Sequence, residues 1–362
     1  MNFYVIFTLL MGGVILFKLK DKRIGVFLLI LFFVLSAFRG EGVGNDTDAY
    51  MDAHSIQYRG TVLADFANLE FDDIGSKVEI LTNLINKIVY DSGMPPRWII
   101  IFYSTIMMVF LLAALRRFNV NIAYALAFYV LLSFFFFSFN IARQFCSISI
   151  VLYAFSYLQE KTKKKYLFFW WIIVASLIHS FAIICIPIYF ITKIPVFTQG
   201  WTLVAFLICI ALASVKLDFI NQLSLVLDAE HVSNYLEEYG GGEGLNTVGI
   251  LVNWAYIFVL FYYYYRRSNY NYNNDRMINN LFLLSIVFHA SLVNYSGVVG
   301  RIVYYISIIQ IVYLAGFYSS IRYKLNKNDW IVFLGFFAYS IYRNAPFVKD
   351  VWLGHTDYYM GF

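Results

Sequence analysis

"KRIGVFLLILFFVLSAFRGEGVGNDTDAY" (residues 22–50) starts with two bases, continues through an apolar stretch, and ends in a cluster of one arginine, three acids and three glycines. Lysine and arginine in short loops collect on the cytoplasmic side of a membrane. The stretch therefore reads as a helix that enters the bilayer at Lys22 and leaves it at Arg39 on the outer side. The rest of the chain has the same character: 61% of its 362 residues are hydrophobic, 20% aromatic and only 14% charged. A soluble domain carries far more charge than this. The expected fold class is an all-α polytopic membrane protein with about 11 to 12 transmembrane segments, one of them a possible half-span hairpin, in a single integral membrane domain over 1–362.

Working outward from that stretch, apolar runs predict spans near 1–17, 24–38, 97–115, 120–139, 141–158, 166–192, 201–217, 248–265, 278–298, 302–318 and 330–345. The first run lacks a basic flank before it and a small-residue cleavage site after it, so it reads as an uncleaved helix with its N-terminus outside. Segment 166–192 is the awkward one. Crossing once, it would place Lys193 outside and invert every later loop. A hairpin of two half-spans turning near His179 restores the charge rule, and the inner loops then hold 17 of the 27 bases against 4 acids. On the same reading the outer loop 39–97 has 10 acids and 5 bases, and the second outer loop, 218–247, has 6 acids and no base.

The first outer loop contains a helix signal. Ile74, Val78, Leu81, Ile85 and Ile88 recur at helical spacing, Ser76 and Glu79 fit a capping box, and Gly93 with Pro95 and Pro96 ends the run. An amphipathic helix lying in the outer interface is expected there. A second outer helix over about 219–239 is expected to end at the "GGGEG" tip (240–244), and "SNYNYNND" (268–275) reads as a solvated inner loop. Cys146, Cys185 and Cys209 are odd in number and all lie in apolar runs. They read as small core residues rather than a disulfide framework.

Charged residues within spans are costly, about 2.5 to 3.5 kcal/mol each on insertion scales. Arg39, Arg143 and Arg301 all fall at the outer ends of predicted spans, where the charge rule gives no reason to keep them. Each could snorkel to the surface or pair with a loop acid; a set of three at one depth suggests a cavity that uses them. His179 in "SLIHSF" lies deep in an apolar run and is either a helix-to-helix hydrogen bond or a cavity residue at the hairpin apex. His289 in "IVFHAS" reads as the former. Asp46 and Asp48 form a D-x-D pair that could bind a divalent cation, act as a base or fix a turn. Glu79 is either the cap partner of Ser76 or a site residue.

The planar fork of arginine suits phosphate oxygens, and a lipid diphosphate carries its charge at this depth. Acids and aromatic rings nearby suit a sugar. No P-loop, G-x-G-x-x-G turn or nucleotide-sugar site is present in the inner loops, so an enzyme here would use a lipid-linked donor.

On these residues the chain resembles a known family. "FRGEGVGNDTDAYMDA" (38–53) resembles the first outer-loop motif of the EpsG/Wzy-type exopolysaccharide and O-antigen polymerases. "FNIARQFCSISI" (139–150) resembles their central arginine-glutamine motif, "KKKYLFFWWIIVASLIHSFAIICIPIYF" (163–190) the helix that follows, and "VVGRIVYYISI" (298–308) the late arginine-aromatic stretch. Glu79 sits where the family often has Glu-Pro-Gly and is followed instead by Ile80 and Leu81. Asn45 stands where a threonine is usual. The resemblance implies an integral-membrane glycosyltransferase that transfers a growing glycan from undecaprenyl diphosphate to a lipid-linked repeat unit at the outer face of the bacterial inner membrane.

The resemblance also implies a set of site residues. Arg143, Arg301, His179, Asp46 and Asp48 are the expected catalytic set, and Arg39, Tyr50, Gln144, Glu79 and Tyr304 the expected substrate-binding set. No cofactor and no tightly held metal are expected. Expected partners are the lipid-linked donor and acceptor, membrane lipid, a chain-length regulator and a flippase, with no nucleic acid. A transporter or flippase of lipid-linked oligosaccharides is the alternative reading, and a glycan ligase or acyltransferase comes third.

Overall fold

The structure, a computed structural model, describes residues 3–40, 42–56, 80–159, 161–193, 204, 247–268, 276–292, 298–320 and 327–345. Every regular element among them is a helix. In chain order they are α1 (Phe3–Leu16), α2 (Lys22–Ala37), α3 (Asn45–Ile56), α4 (Ile80–Asp91), α5 (Arg97–Phe118), α6 (Ile122–Leu131), α7 (Phe134–Asn140), α8 (Ala142–Phe155) and α9 (Tyr166–Ser176). There follow α10 (Ile188–Ile191), α11 (Thr247–Ser268), α12 (Arg276–Leu292), α13 (Val298–Ser307), α14 (Ile309–Ser320) and α15 (Lys327–Asn344). Short 3-10 turns cover Ser156–Leu158 and Ser180–Cys185. The expected span 201–217 and the second outer helix and tip lie outside the described residues, as does Glu79.

The chain forms two compact units, Met1–Ile186 with Leu314–Phe362, and Pro187–Tyr313. In the first, α5 packs along α8, α8 along α9, and α2 against both α5 and α6, while α15 lies on α1. Local chemistry sets the helix ends. Asp21 Oδ1 accepts from the Arg23 N–H at 2.7 Å and Asn121 Oδ1 from the Tyr124 N–H at 3.0 Å, each satisfying a donor that a helix start leaves open. Asn119, at φ 55°, ends α5 in the left-handed turn that asparagine tolerates.

The core of this unit is aromatic. Phe135 stacks on Phe32 with centroids 4.4 Å apart, and Phe7, Phe136, Phe139 and Tyr4 surround the pair. Large apolar side chains also point outward: Phe17 is 77% exposed, Phe27 63% and Leu10 59%. Exposure on that scale suits lipid as the surrounding solvent. By length and composition α5 and the run Ile302–Ser319 can each cross a membrane. The described residues are all-helical, and their apolar helices fit a membrane protein.

The expected continuous span 120–139 is not continuous. Ser133, at φ 67°, breaks it, and α6 and α7 meet at 62°. The break leaves the Val130 carbonyl without a full helical partner set, and α15 supplies one: Asn344 Nδ2 donates to Val130 O at 3.2 Å and to Thr8 Oγ1 at 2.9 Å. Broken backbone in an apolar setting requires such substitutes. Segment 166–192 is interrupted as well. Helix α9 stops at Ser176, His179 is extended at φ −153° and ψ 113°, and the 3-10 turn after it packs on both α9 and α8.

In the second unit α12 packs on α11 and α13. A buried polar chain links three of its helices: Tyr256 Oη donates to Gln310 Oε1 at 2.6 Å, and Gln310 Nε2 donates to Ser285 Oγ at 3.0 Å. Phe282 stacks on Tyr313 at 3.6 Å beside it.

Candidate functional site

The first unit gathers its polar residues around the loop 39–44 and the helix starts beside it. Arg39 is only 2% exposed. Its Nη1 donates to Ser36 O at 2.7 Å, its Nε to Thr47 Oγ1 at 3.0 Å and Val43 O at 3.2 Å, and its Nη2 to Phe139 O at 3.3 Å. The guanidinium thus ties the end of α2, the loop, the start of α3 and the end of α7 into one piece. Gly44 belongs to the same joint. It sits at φ 91°, and a Cβ there would overlap the Phe139 carbonyl. Arg39, expected as a substrate ligand, has its fork committed to holding this joint. The two aspartates differ too: Asp48 Oδ1 accepts from the Gly42 N–H at 2.9 Å and closes the loop, whereas Asp46 Oδ2 accepts from Tyr50 Oη at 3.4 Å.

Arg143 enters from the other side. After α7 the backbone kinks at Ile141 (φ −119°, ψ 54°), and α8 begins at Ala142 with no side chain capping it. Arg143 is therefore the second residue of a helix. A cation there opposes the positive end of the helix dipole, and an anion would be welcome. Gln144, next to it, is 2% exposed. The side chain that joins Arg143 to the first motif is Tyr103 of α5. Its ring meets that of Tyr50 edge-on at 5.8 Å, and its hydroxyl lies within electrostatic reach of Arg143, Tyr50, Thr82 and Cys146. The structure thus brings Tyr50 and Arg143 to one tyrosine, with Asp46 bonded to Tyr50.

The break before His179 is tied to the same cluster through α4. The carbonyls of Leu177 and Ile178, freed where α9 stops, accept from the Leu81 N–H at 2.8 Å and from Thr82 Oγ1 at 3.0 Å. Both donors come from the first turn of α4, so one helix start satisfies one helix end. Ser147 of α8 adds a bond to Ala175 O at 2.9 Å. His179 is half-buried, its ring 5.4 Å from that of Phe181.

Helix α4 covers the later part of the segment expected to be amphipathic, from Ile80 onward, and its faces are set unusually. Thr82, Asn86 and Val89 are buried, while Ile80, Leu84 and Ile88 are exposed. The polar side looks into the protein and the apolar side looks out. A periodicity argument finds such a helix but cannot say which face is covered.

Two other expected residues belong to the second unit. Arg301 lies in α13 of the second unit, and its side chain is outside the described residues, so the expected trio of arginines is described only for Arg39 and Arg143. Tyr304, of the same helix, is half-buried. Two arginines that the sequence reading passed over stand near the joint. Arg97 Nη1 donates to the Arg39 carbonyl at 3.4 Å; Arg343 lies 5.5 Å over the Phe137 ring and donates to Tyr339 Oη at 3.0 Å. Arg97 had been counted among loop charges. Tyr103 and Thr82 were also missed, the first inside a continuous apolar run and the second beside a helix signal.

With this geometry in place, comparison with known proteins decides the family. The EpsG family model matches residues 22–358, nearly the whole chain. The chain belongs to the EpsG family. Membership supports a polymerase-type, glycosyltransferase-like role in polysaccharide biosynthesis, in keeping with the apolar helices described above. No curated protein and no solved structure matches the chain.

Proposed function

We propose that this EpsG-family chain is a polysaccharide polymerase that transfers a growing glycan from undecaprenyl diphosphate to a lipid-linked repeat unit at the outer face of the cytoplasmic membrane. The observation that carries this reading is the convergence on Tyr103 of Tyr50, from the acidic first segment, and Arg143, from the arginine-glutamine segment. A cation at an uncapped helix start suits a diphosphate; a carboxylate and ring faces in the same unit suit a sugar.

In the proposed reaction an acceptor hydroxyl oxygen attacks the anomeric carbon of the donor. The bond from that carbon to the diphosphate oxygen breaks, and undecaprenyl diphosphate leaves with the electron pair. Arg143 stabilises the charge that grows on the leaving oxygen. Asp46 or His179 takes the proton of the acceptor hydroxyl. Arg39 and Gly44 hold the first segment in place for this chemistry rather than touching the substrate. A flippase and a chain-length regulator are the proposed partners.

Incubating the purified protein with a lipid-linked repeat unit tests the reading. A ladder of longer lipid-linked chains is expected. Repeat units that cross a vesicle membrane with no covalent change would establish a transporter instead.

A further inference from the structure

One buried hydroxyl in the first unit is not used by the fold. Tyr103 is 1% exposed, and its Oη has no hydrogen-bond partner. Thr82 stands close to it, and gives its own proton to the Ile178 carbonyl. An unsatisfied hydroxyl in an enclosed site is destabilising, and phenylalanine would fill the same space without that cost.

The neighbours of the hydroxyl point to what it binds. Arg143 is a cation at the start of α8, which no side chain caps, and Tyr103 has a proton to give. A ligand that suits both is an oxyanion. Tyr50, the other tyrosine of the cluster, already gives its proton to Asp46.

We propose that Tyr103 is a ligand of the phosphate group held at Arg143, its Oη donating to a non-bridging phosphate oxygen. The proposal rests on the reading above that this site takes a lipid diphosphate, and adds to it a neutral donor from the middle of α5. The ring of Tyr103, packed edge-on against Tyr50, fixes the hydroxyl so that little freedom is lost on binding. The orphaned hydroxyl is then a preorganised half of a hydrogen bond that the substrate completes.

The test uses the full-length protein in detergent or nanodiscs, with undecaprenyl diphosphate and, separately, inorganic diphosphate as probes. Tyr103→Phe removes one oxygen and keeps the ring. Affinity for both probes is expected to fall about tenfold or more, with the unfolding midpoint unchanged or raised. Equal affinities in wild type and Tyr103→Phe would overturn the proposal and leave the polymerase reading standing. A lowered midpoint with unchanged affinity would make Tyr103 structural and overturn it as well. A deficit confined to the lipid probe would overturn the phosphate contact in favour of prenyl recognition. A wild-type protein that neither binds either probe nor extends chains would overturn both the proposal and the reading on which it rests.

Discussion

Gly44→Ala tests the joint that holds the first motif in place. At φ 91° an L side chain costs about 1 to 2 kcal/mol in strain. The added Cβ would also overlap the Phe139 carbonyl, a backbone group that cannot swing aside as a side-chain tip can. Moving the loop away would give up the bonds that Arg39 Nη2 (3.3 Å) and Thr47 Oγ1 (3.5 Å) make to that carbonyl. Their loss adds about 2 to 3 kcal/mol, since one donor is a buried guanidinium. The total is about 3 to 5 kcal/mol. Gly93 is the internal control: it too has a left-handed φ, 62°, but nothing lies within 4 Å of its added Cβ. Gly93→Ala should cost only the strain, about 1 kcal/mol. Thermal unfolding of the two variants and wild type in one detergent, at one scan rate, measures the gap. Equal midpoints for the two variants would refute the close approach of Gly44 to Phe139.

Four further outcomes are expected. Arg143→Lys keeps the charge but loses the fork, and should lower polymerisation roughly ten- to a thousandfold, with alanine worse and expression unchanged. Arg39→Lys should instead lower stability by about 2 to 4 kcal/mol through its lost backbone bonds, leaving the KM of the folded fraction unchanged; steady-state kinetics with unfolding curves separate the two. Cysteine labelling at residue 193 should find it on the same side as residue 266, and access from the outside alone would remove the hairpin at His179. Polymerisation should persist in chelator; full loss, restored by Mg²⁺ or Mn²⁺, would make Asp46 and Asp48 metal ligands.

Much of the site could be read in the sequence because its chemistry is local. Arg39, Gly44, Asp46 and Tyr50 lie within a dozen residues, and glycines beside acids at the end of an apolar run signal a turn whatever surrounds it. Arg143 and His179 stand out because polar side chains are rare in such runs. What the pattern could not give was the partner of each group. Whether the Arg39 fork meets a ligand or the Phe139 carbonyl depends on a contact 100 residues away in the chain. The break at Ser133 was invisible for a similar reason. It lies between "YVLL" and "FFFF", with no glycine or proline, and only tertiary packing pays for a serine in the left-handed region. Tyr103, within "IIIFYSTIMM", looks like one more aromatic of a span until Arg143 and Tyr50 are placed beside it.

The central claim is that glycan transfer here releases a lipid diphosphate. The direct measurement is a count of undecaprenyl diphosphate released per glycosidic bond formed, made on purified protein with a lipid-linked repeat unit as both donor and acceptor. One diphosphate for each new bond is the expected result. Bonds formed with release of monophosphate, or diphosphate released with no new bond, would contradict it.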